Sequence, residues 1–349
     1  MAVKKRMKAA VLYRPFDVRI KEVPVPKPKA NEVLVAMKAV GVCGSDVHYF
    51  KEGRIGSYVV KKPMILGHEA AGQIVKLGPK VKGLKVGDRV AIEPGVPCRR
   101  CEFCKTGKYN LCPDVVFYAT PPYDGAYCEY QVAAADFVFK LPANVTYEMG
   151  AMIEPLAVGM HACNRGGVGP GDRVAVLGAG PIGLVSLQAA AARGAAQLIA
   201  VDIDANRLKL AKKLGATDVV NAATKDTVKE ILRLTDGLGA DVVLETAGTA
   251  ATTQQTVACA RNGGRIVLVG LPSEDRIEMP VVEAICKEVY ISGLFRYAHM
   301  YPPSIALVSR RAIDVKSMIT KRFRLEDVPK ALAFAVHQGK KAIKIMITI

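Results

Sequence analysis

The chain has 349 residues, half of them apolar and 23% charged, a mixture that excludes a disordered polypeptide and is long enough for two domains. Lys and Arg number 49 against 32 Asp and Glu, a formal net charge of +17. With no Trp and no basic run interleaved with stacking aromatics, that excess reads as a solvated surface drawing a polyanionic cofactor, not as a nucleic-acid interface.

In chain order, residues 1–150 read as β-rich and loop-rich: Lys8–Tyr13, Glu32–Val40, Ala71–Val75, Arg89–Ile92 and Gln131–Ala133 are short apolar or alternating runs between Pro and Gly. Val23–Lys29, VPVPKPK, is expected to be extended, because each proline keeps its predecessor out of the α region. From about residue 155 strands alternate with helices: Arg173–Leu177, Pro181–Arg193, Leu198–Val201, Ala205–Leu214, Asp241–Glu245 and Arg265–Val269. That rhythm predicts parallel crossovers and a doubly wound sheet. Val174–Ala192 carries no charge over a membrane-spanning length, but Gly178, Gly180, Pro181 and Gly183 break it into strand, turn and helix. The end, Ala342–Ile349, is strand-like. Basic residues gather at both ends, nine against two acidic in residues 1–30 and ten against three in 310–349.

Arg173–Leu177 runs into Gly178-Ala-Gly180-Pro-Ile182-Gly183 and then a helix, and Asp202 ends the next strand. In that context the glycines have separate tasks: Gly178 a tight turn, Gly180 close approach of a pyrophosphate, Gly183 close packing, with helix-start amides facing the phosphates. Asp202 would bond the ribose hydroxyls and repel a 2′-phosphate, favouring NAD, while Arg207 nearby could tolerate that phosphate.

Cys98, Cys101, Cys104 and Cys112 are spaced to wrap one tetrahedral zinc with no open position, a structural site; the spacing lacks the usual iron–sulfur arrangement. Metal use and the absence of an apolar signal-peptide core in the first sixteen residues predict a reducing, cytoplasmic setting. Cys43, His68, Glu69 and Glu154 lie apart in sequence, and each alone is as consistent with a buried thiol, a core histidine or a helix-start carboxylate as with a ligand.

Taken together, GVCGSDVHYF, PMILGHEAAGQIVKLG, the four-cysteine lobe, ATPPYDGAYCEY, AMIEPLAVGMHA, GAGPIG and GLFRY resemble the zinc-dependent medium-chain alcohol dehydrogenases over nearly the whole chain. Glu154, where plain alcohol dehydrogenases carry cysteine, resembles the polyol branch of sorbitol, xylitol and arabinitol dehydrogenases. The resemblance implies an α/β fold in discontinuous order, a GroES-like β-rich catalytic domain from residues 1–155 with 296–349 returning to it, and a Rossmann NAD-binding domain from 156–295. It implies two zinc ions, the catalytic one held by Cys43, His68 and Glu69 with Glu154 bonding beside it or alternating with Glu69. It places NAD against Gly178, Gly180, Ile182, Gly183, Asp202, Arg207, Val269, Gly270, Leu271, Leu294, Phe295 and Arg296. Substrate would meet Tyr49, Phe117, Thr120, Glu154, Arg296 and Tyr297, with Ser45 passing a proton onward through His48 or water. A homotetramer acting on a small polyol, with neither nucleic acid nor membrane as partner, completes the expectation. A threonine or secondary-alcohol dehydrogenase of the same superfamily, a basic zinc-containing nucleic-acid binder and a structural protein reusing the fold are the alternatives.

Overall fold

The computed structural model describes residues 4–272, 274 and 276–349. The chain divides into two compact units. The first comprises residues to Glu154 with Tyr301–Ser309 and Val315–Ile349, and the second Pro155–Met300 with Arg310–Asp314.

The first unit is organised around Glu32–Gly41, EVLVAMKAVG, which is paired along both edges and has seven of its ten residues buried. Glu69–Leu77 pairs with it antiparallel along one edge. On the other edge Tyr130–Ala134 pairs with its first half and Lys344–Thr348 with its last three residues. Arg89–Ile92 and Val138–Lys140 extend the sheet on one side, and Ile319–Arg324 on the other. A smaller sheet of Asp17–Pro24, Arg6–Arg14 and Met64–Ile65 packs its apolar residues into the same core, where Leu12, Val35, Met37, Ile74, Ile92 and Leu332 are fully buried or nearly so. Of the proline-rich Val23–Lys29, the first two residues finish the strand Asp17–Pro24 and the rest enter no helix. Both basic ends fall in this unit, apart from Arg310 and Arg311.

The second unit is a six-stranded parallel sheet in the order Asp218–Asn221, Gln197–Asp202, Arg173–Leu177, Ala240–Glu245, Ala260–Leu268, Tyr290–Gly293. Its central strands, RVAVL and ADVVLE, carry the unbroken apolar stretches VAVL and VVL because helices cover both faces of such a sheet. The apolar stretch after Arg173 resolves into Arg173–Leu177, a glycine turn and the helix Pro181–Ala192; among the described residues no helix is long and apolar enough to cross a membrane. The chain rejoins the first unit at Tyr301, five residues beyond the expected 296, and a short return, Arg310–Asp314, stays with the second. Side chains explain both details: Asn164 Nδ2 lies 3.9 Å from Met300 Sδ, and the Gln188 amide accepts from Asp314 N (2.7 Å) and donates to Asp314 O (3.3 Å).

Candidate active site and metal centres

Strand register brings the first constellation together. Glu69 pairs with Gly41, and two residues beyond Gly41 the chain reaches Cys43, the N-cap of the helix Gly44–Glu52. Ligand atoms of Cys43, His68 and Glu69 all lie within 4.8 Å of one another. Asp46, wholly buried, fixes both segments: its carboxylate accepts from Cys43 N (3.0 Å), Gly67 N (2.9 Å) and Tyr127 Oη (2.9 Å), and its Oδ1 stands 3.8 Å from His68 Nδ1. Gly67 presents His68 from a left-handed conformation, φ +89°, and a Cβ there would strike the Tyr127 ring at 2.8 Å.

The cluster is electron-rich. Burial alone would depress the His68 pKa, but the hydrogen-bonded Cys43 and the carboxylates of Asp46 and Glu154 raise it to about 10. Lys344, buried on the last strand, holds Glu69 Oε1 at 2.5 Å, while Glu69 Oε2 is buried without a hydrogen-bond partner. Thiol, imidazole and carboxylate together are a zinc donor set, and an orphaned carboxylate oxygen inside it, in a field that draws positive charge, fits a divalent cation. Glu154 is buried but stands outside this three-residue group; its charge still acts on His68, Lys344 and Glu93. Glu93 Oε1 accepts from Tyr109 Oη at 2.6 Å, and burial pushes its pKa up to about 7 despite that bond.

The second centre is Cys98, Cys101, Cys104 and Cys112, whose sulfurs also lie within 4.8 Å of one another. Amides enter this nest: Cys98 N donates to Cys112 Sγ (3.3 Å) and Cys101 N to Cys98 Sγ (3.4 Å). Backbone donors pull the Cys98 pKa down to about 6, whereas desolvation and its crowded neighbours push Cys104 up to about 12. Arg99, beside the first of these cysteines, spends its guanidinium on both Asp136 oxygens at 2.8 and 2.9 Å.

In the second unit the nucleotide candidates collect at the carboxyl ends of parallel strands, beside the switch point between Arg173–Leu177 and Ala240–Glu245. Gly178 has φ +102° for the turn; a Cβ on Gly183 would meet Gly178 O at 1.8 Å; Gly180 has only Arg207 Nη1 at 4.0 Å. The three glycines thus serve turning, packing and open approach. Asp202 is locked by Ala179 N (2.7 Å) and Asp204 N (2.9 Å), with Arg207 Nη1 3.7 Å from its Oδ2. Val269 and Gly270 donate backbone amides to Glu245 O, and Leu271, Leu294 and Phe295 follow at strand ends. Gly180 caps the helix that carries Ile182.

Tyr49 and Phe117 are buried in the first unit, with the Phe117 ring 5.6 Å from that of His68. Thr120 is half-buried, its amide bonded to Phe117 O, and Ser45 and His48 lie on the helix that Cys43 caps. Arg296, with φ +54° and its guanidinium 4.6 Å from the Phe295 ring centroid, and buried Tyr297 belong to the second unit. Sequence reading passed over Asp46, Tyr127, Glu93 and Lys344. Asp46 could have been found as a carboxylate one helical turn after Cys43, and Lys344 as the lone charge in AIKIMITI.

Residues 29–143 match the alcohol dehydrogenase GroES-like domain and residues 181–310 the zinc-binding dehydrogenase family. The chain is 46% identical to a sorbitol dehydrogenase of Bacillus subtilis, covering 99% of this chain and 98% of that protein. It is 49% identical to human sorbitol dehydrogenase over 99% and 97%. A solved Escherichia coli dehydrogenase of unknown specificity superposes with a TM-score of 0.95 at 42% identity, covering 99% of each chain. This chain therefore belongs to the zinc-dependent medium-chain alcohol dehydrogenase superfamily. It is a member of the polyol branch, an oxidoreductase served by zinc and NAD.

Proposed function

We propose that the chain oxidises a secondary hydroxyl of an open-chain sugar alcohol, sorbitol or xylitol in type, to the ketose, passing hydride from carbon to NAD and a proton towards solvent. The observation that carries this reading is the convergence of Cys43, His68 and Glu69, whose carboxylate keeps one oxygen buried and unbonded, in a chain this similar to sorbitol dehydrogenases. Those three residues would hold the catalytic zinc, and Cys98, Cys101, Cys104 and Cys112 the structural one. When bound, zinc supplies a Lewis acid that makes a hydroxyl far easier to deprotonate. Asp46 orients His68 through the backbone it grips. Phe117 keeps the face beside His68 dry. Ser45 receives the departing proton and relays it through His48 or water. Glu154 orients the reacting hydroxyl, and Tyr49, Thr120, Arg296 and Tyr297 bond or enclose the neighbouring ones. Arg296 in particular offers planar donors, and a site built for extra hydroxyls rejects alcohols lacking them.

Gly178, Gly180, Ile182, Gly183, Asp202, Arg207, Val269–Leu271 and Leu294–Arg296 are assigned to NAD. All nine cysteines are free, which supports a reducing cytoplasmic setting. We assign the chain to a homotetramer; the edge strand Tyr290–Gly293, where Tyr290 is 72% exposed and nearby Val282 76%, supports self-association through this edge. The deciding assay is a panel of polyols, L-threonine and butan-2-ol with NAD and NADP, before and after 1,10-phenanthroline. Sugar alcohols should turn over with NAD and lose activity to the chelator; preference for threonine or butan-2-ol would transfer the assignment to the sibling activities.

A further inference from the structure

Glu69 and Lys344 reach one another from the two strands that flank Glu32–Gly41. Gly41 pairs with Glu69 on one edge and with Met346, two residues beyond Lys344, on the other. Both charged residues are buried, at 1% and 3% exposure. Between them Gly41 provides the clearance: a Cβ there would stand 1.9 Å from Glu69 Oε2 and 3.0 Å from Lys344 Cε. Lys344 engages Oε1, Oε2 is left buried and unbonded, and a Glu69 carboxylate oxygen lies within 4.8 Å of the Cys43 and His68 ligand atoms. A buried ion pair is a poor device for stability, since apolar replacements of similar volume often serve as well. The asymmetry of this pair suits a different task.

We propose that Lys344 is a positioning residue for the catalytic metal: by occupying Glu69 Oε1 it presents Oε2 as the single ligand atom, and Gly41 keeps that oxygen's place open. The inference rests on Cys43, His68 and Glu69 being the metal donors. It also tempers the charge of the cluster, because Cys43, Asp46, Glu69 and Glu154 bring four negative charges, of which a divalent ion and the Lys344 ammonium together offset three. With one oxygen committed to nitrogen, the carboxylate cannot swing to grip the metal through both oxygens, so a coordination position stays available.

The test uses full-length protein. Zinc per chain, release of zinc to a chelator, and the visible spectrum of cobalt-substituted protein are compared for the unaltered chain, Lys344→Met and Gly41→Ala. Lys344→Met should release its catalytic-site zinc about 10- to 100-fold faster and shift the cobalt bands of that site, while the cysteine-lobe ion stays. Gly41→Ala, whose backbone is not left-handed, should drop from two zinc ions to one by displacing Oε2. A folded Lys344→Met protein with unchanged release rate and cobalt spectrum would overturn the proposal. If that variant fails to fold, Gly41→Ala retaining both ions with an unaltered cobalt spectrum would overturn it. Failure of the unaltered chain itself to hold a second metal ion would instead overturn the donor assignment beneath it.

Discussion

The two metal centres are opposite solutions to one problem. In the cysteine lobe all four donors lie between residues 98 and 112, on short turns and one-turn helices, and the chain needs little beyond itself to bring them together. The other centre takes Cys43 from a helix cap, Glu69 from the first position of a strand, His68 from the residue before it, and the Lys344 contact from a strand residue 275 positions beyond Glu69. Local donors make metal binding part of local folding; distant ones make it a readout of sheet register. On the proposed assignment, one centre would serve stability and the other would be poised for chemistry.

Removing a dispersed donor should do the greatest damage. Cys43→Ala or His68→Ala is expected to lower kcat/KM by at least about 10³-fold while the lobe keeps its zinc, measured by steady-state assay and metal analysis. In the lobe the same kind of change should act on folding: Cys98→Ser or Cys112→Ser is expected to lower the melting temperature by on the order of 10 °C. Should Cys98→Ser instead lower kcat and leave the melt alone, the contrast between the centres would be wrong. Asp46→Ala, which touches no metal, should weaken zinc retention at the dispersed centre by about 10- to 100-fold in a chelator competition and leave the lobe unchanged. In the second unit, Asp202→Ala should narrow the NAD-over-NADP ratio of kcat/KM by about tenfold or more.

The smallest effect is a pH dependence. Burial raises Glu93 from 4.5 to about 7 in the folded chain. The folded state therefore holds this proton more tightly than the unfolded one. Its stabilising contribution is complete below pH 4.5 and is lost as pH rises to about 7. Glu93→Gln should remove that slope, gaining about 1–3 kcal/mol on the original chain near neutrality in urea melts at pH 5 and pH 8.

Much of this was legible in residues, for reasons that differ by place. Arg173–Leu177 was readable to its boundaries because a strand buried on both faces is an unbroken apolar run ending at glycine. The flanking strands Asp218–Asn221 and Tyr290–Gly293 were not, since at the sheet's margins DVVN and YISG mix polar and apolar residues. The cysteine lobe declares itself by spacing. Cys43, His68 and Glu69 needed a resemblance to be joined, because only antiparallel register across Gly41 makes them neighbours. Asp46, Tyr127 and Lys344 escaped altogether: their importance lies in what they touch, and contact over such separations leaves no periodicity.

Every proposed donor of both centres lies before Glu154, and Asp202, the residue assigned above to the coenzyme, lies after it. Coenzyme preference and metal content are thereby heritable as separate modules. A lineage can exchange the residues around Asp202 to suit another redox pool without disturbing one bond to either ion.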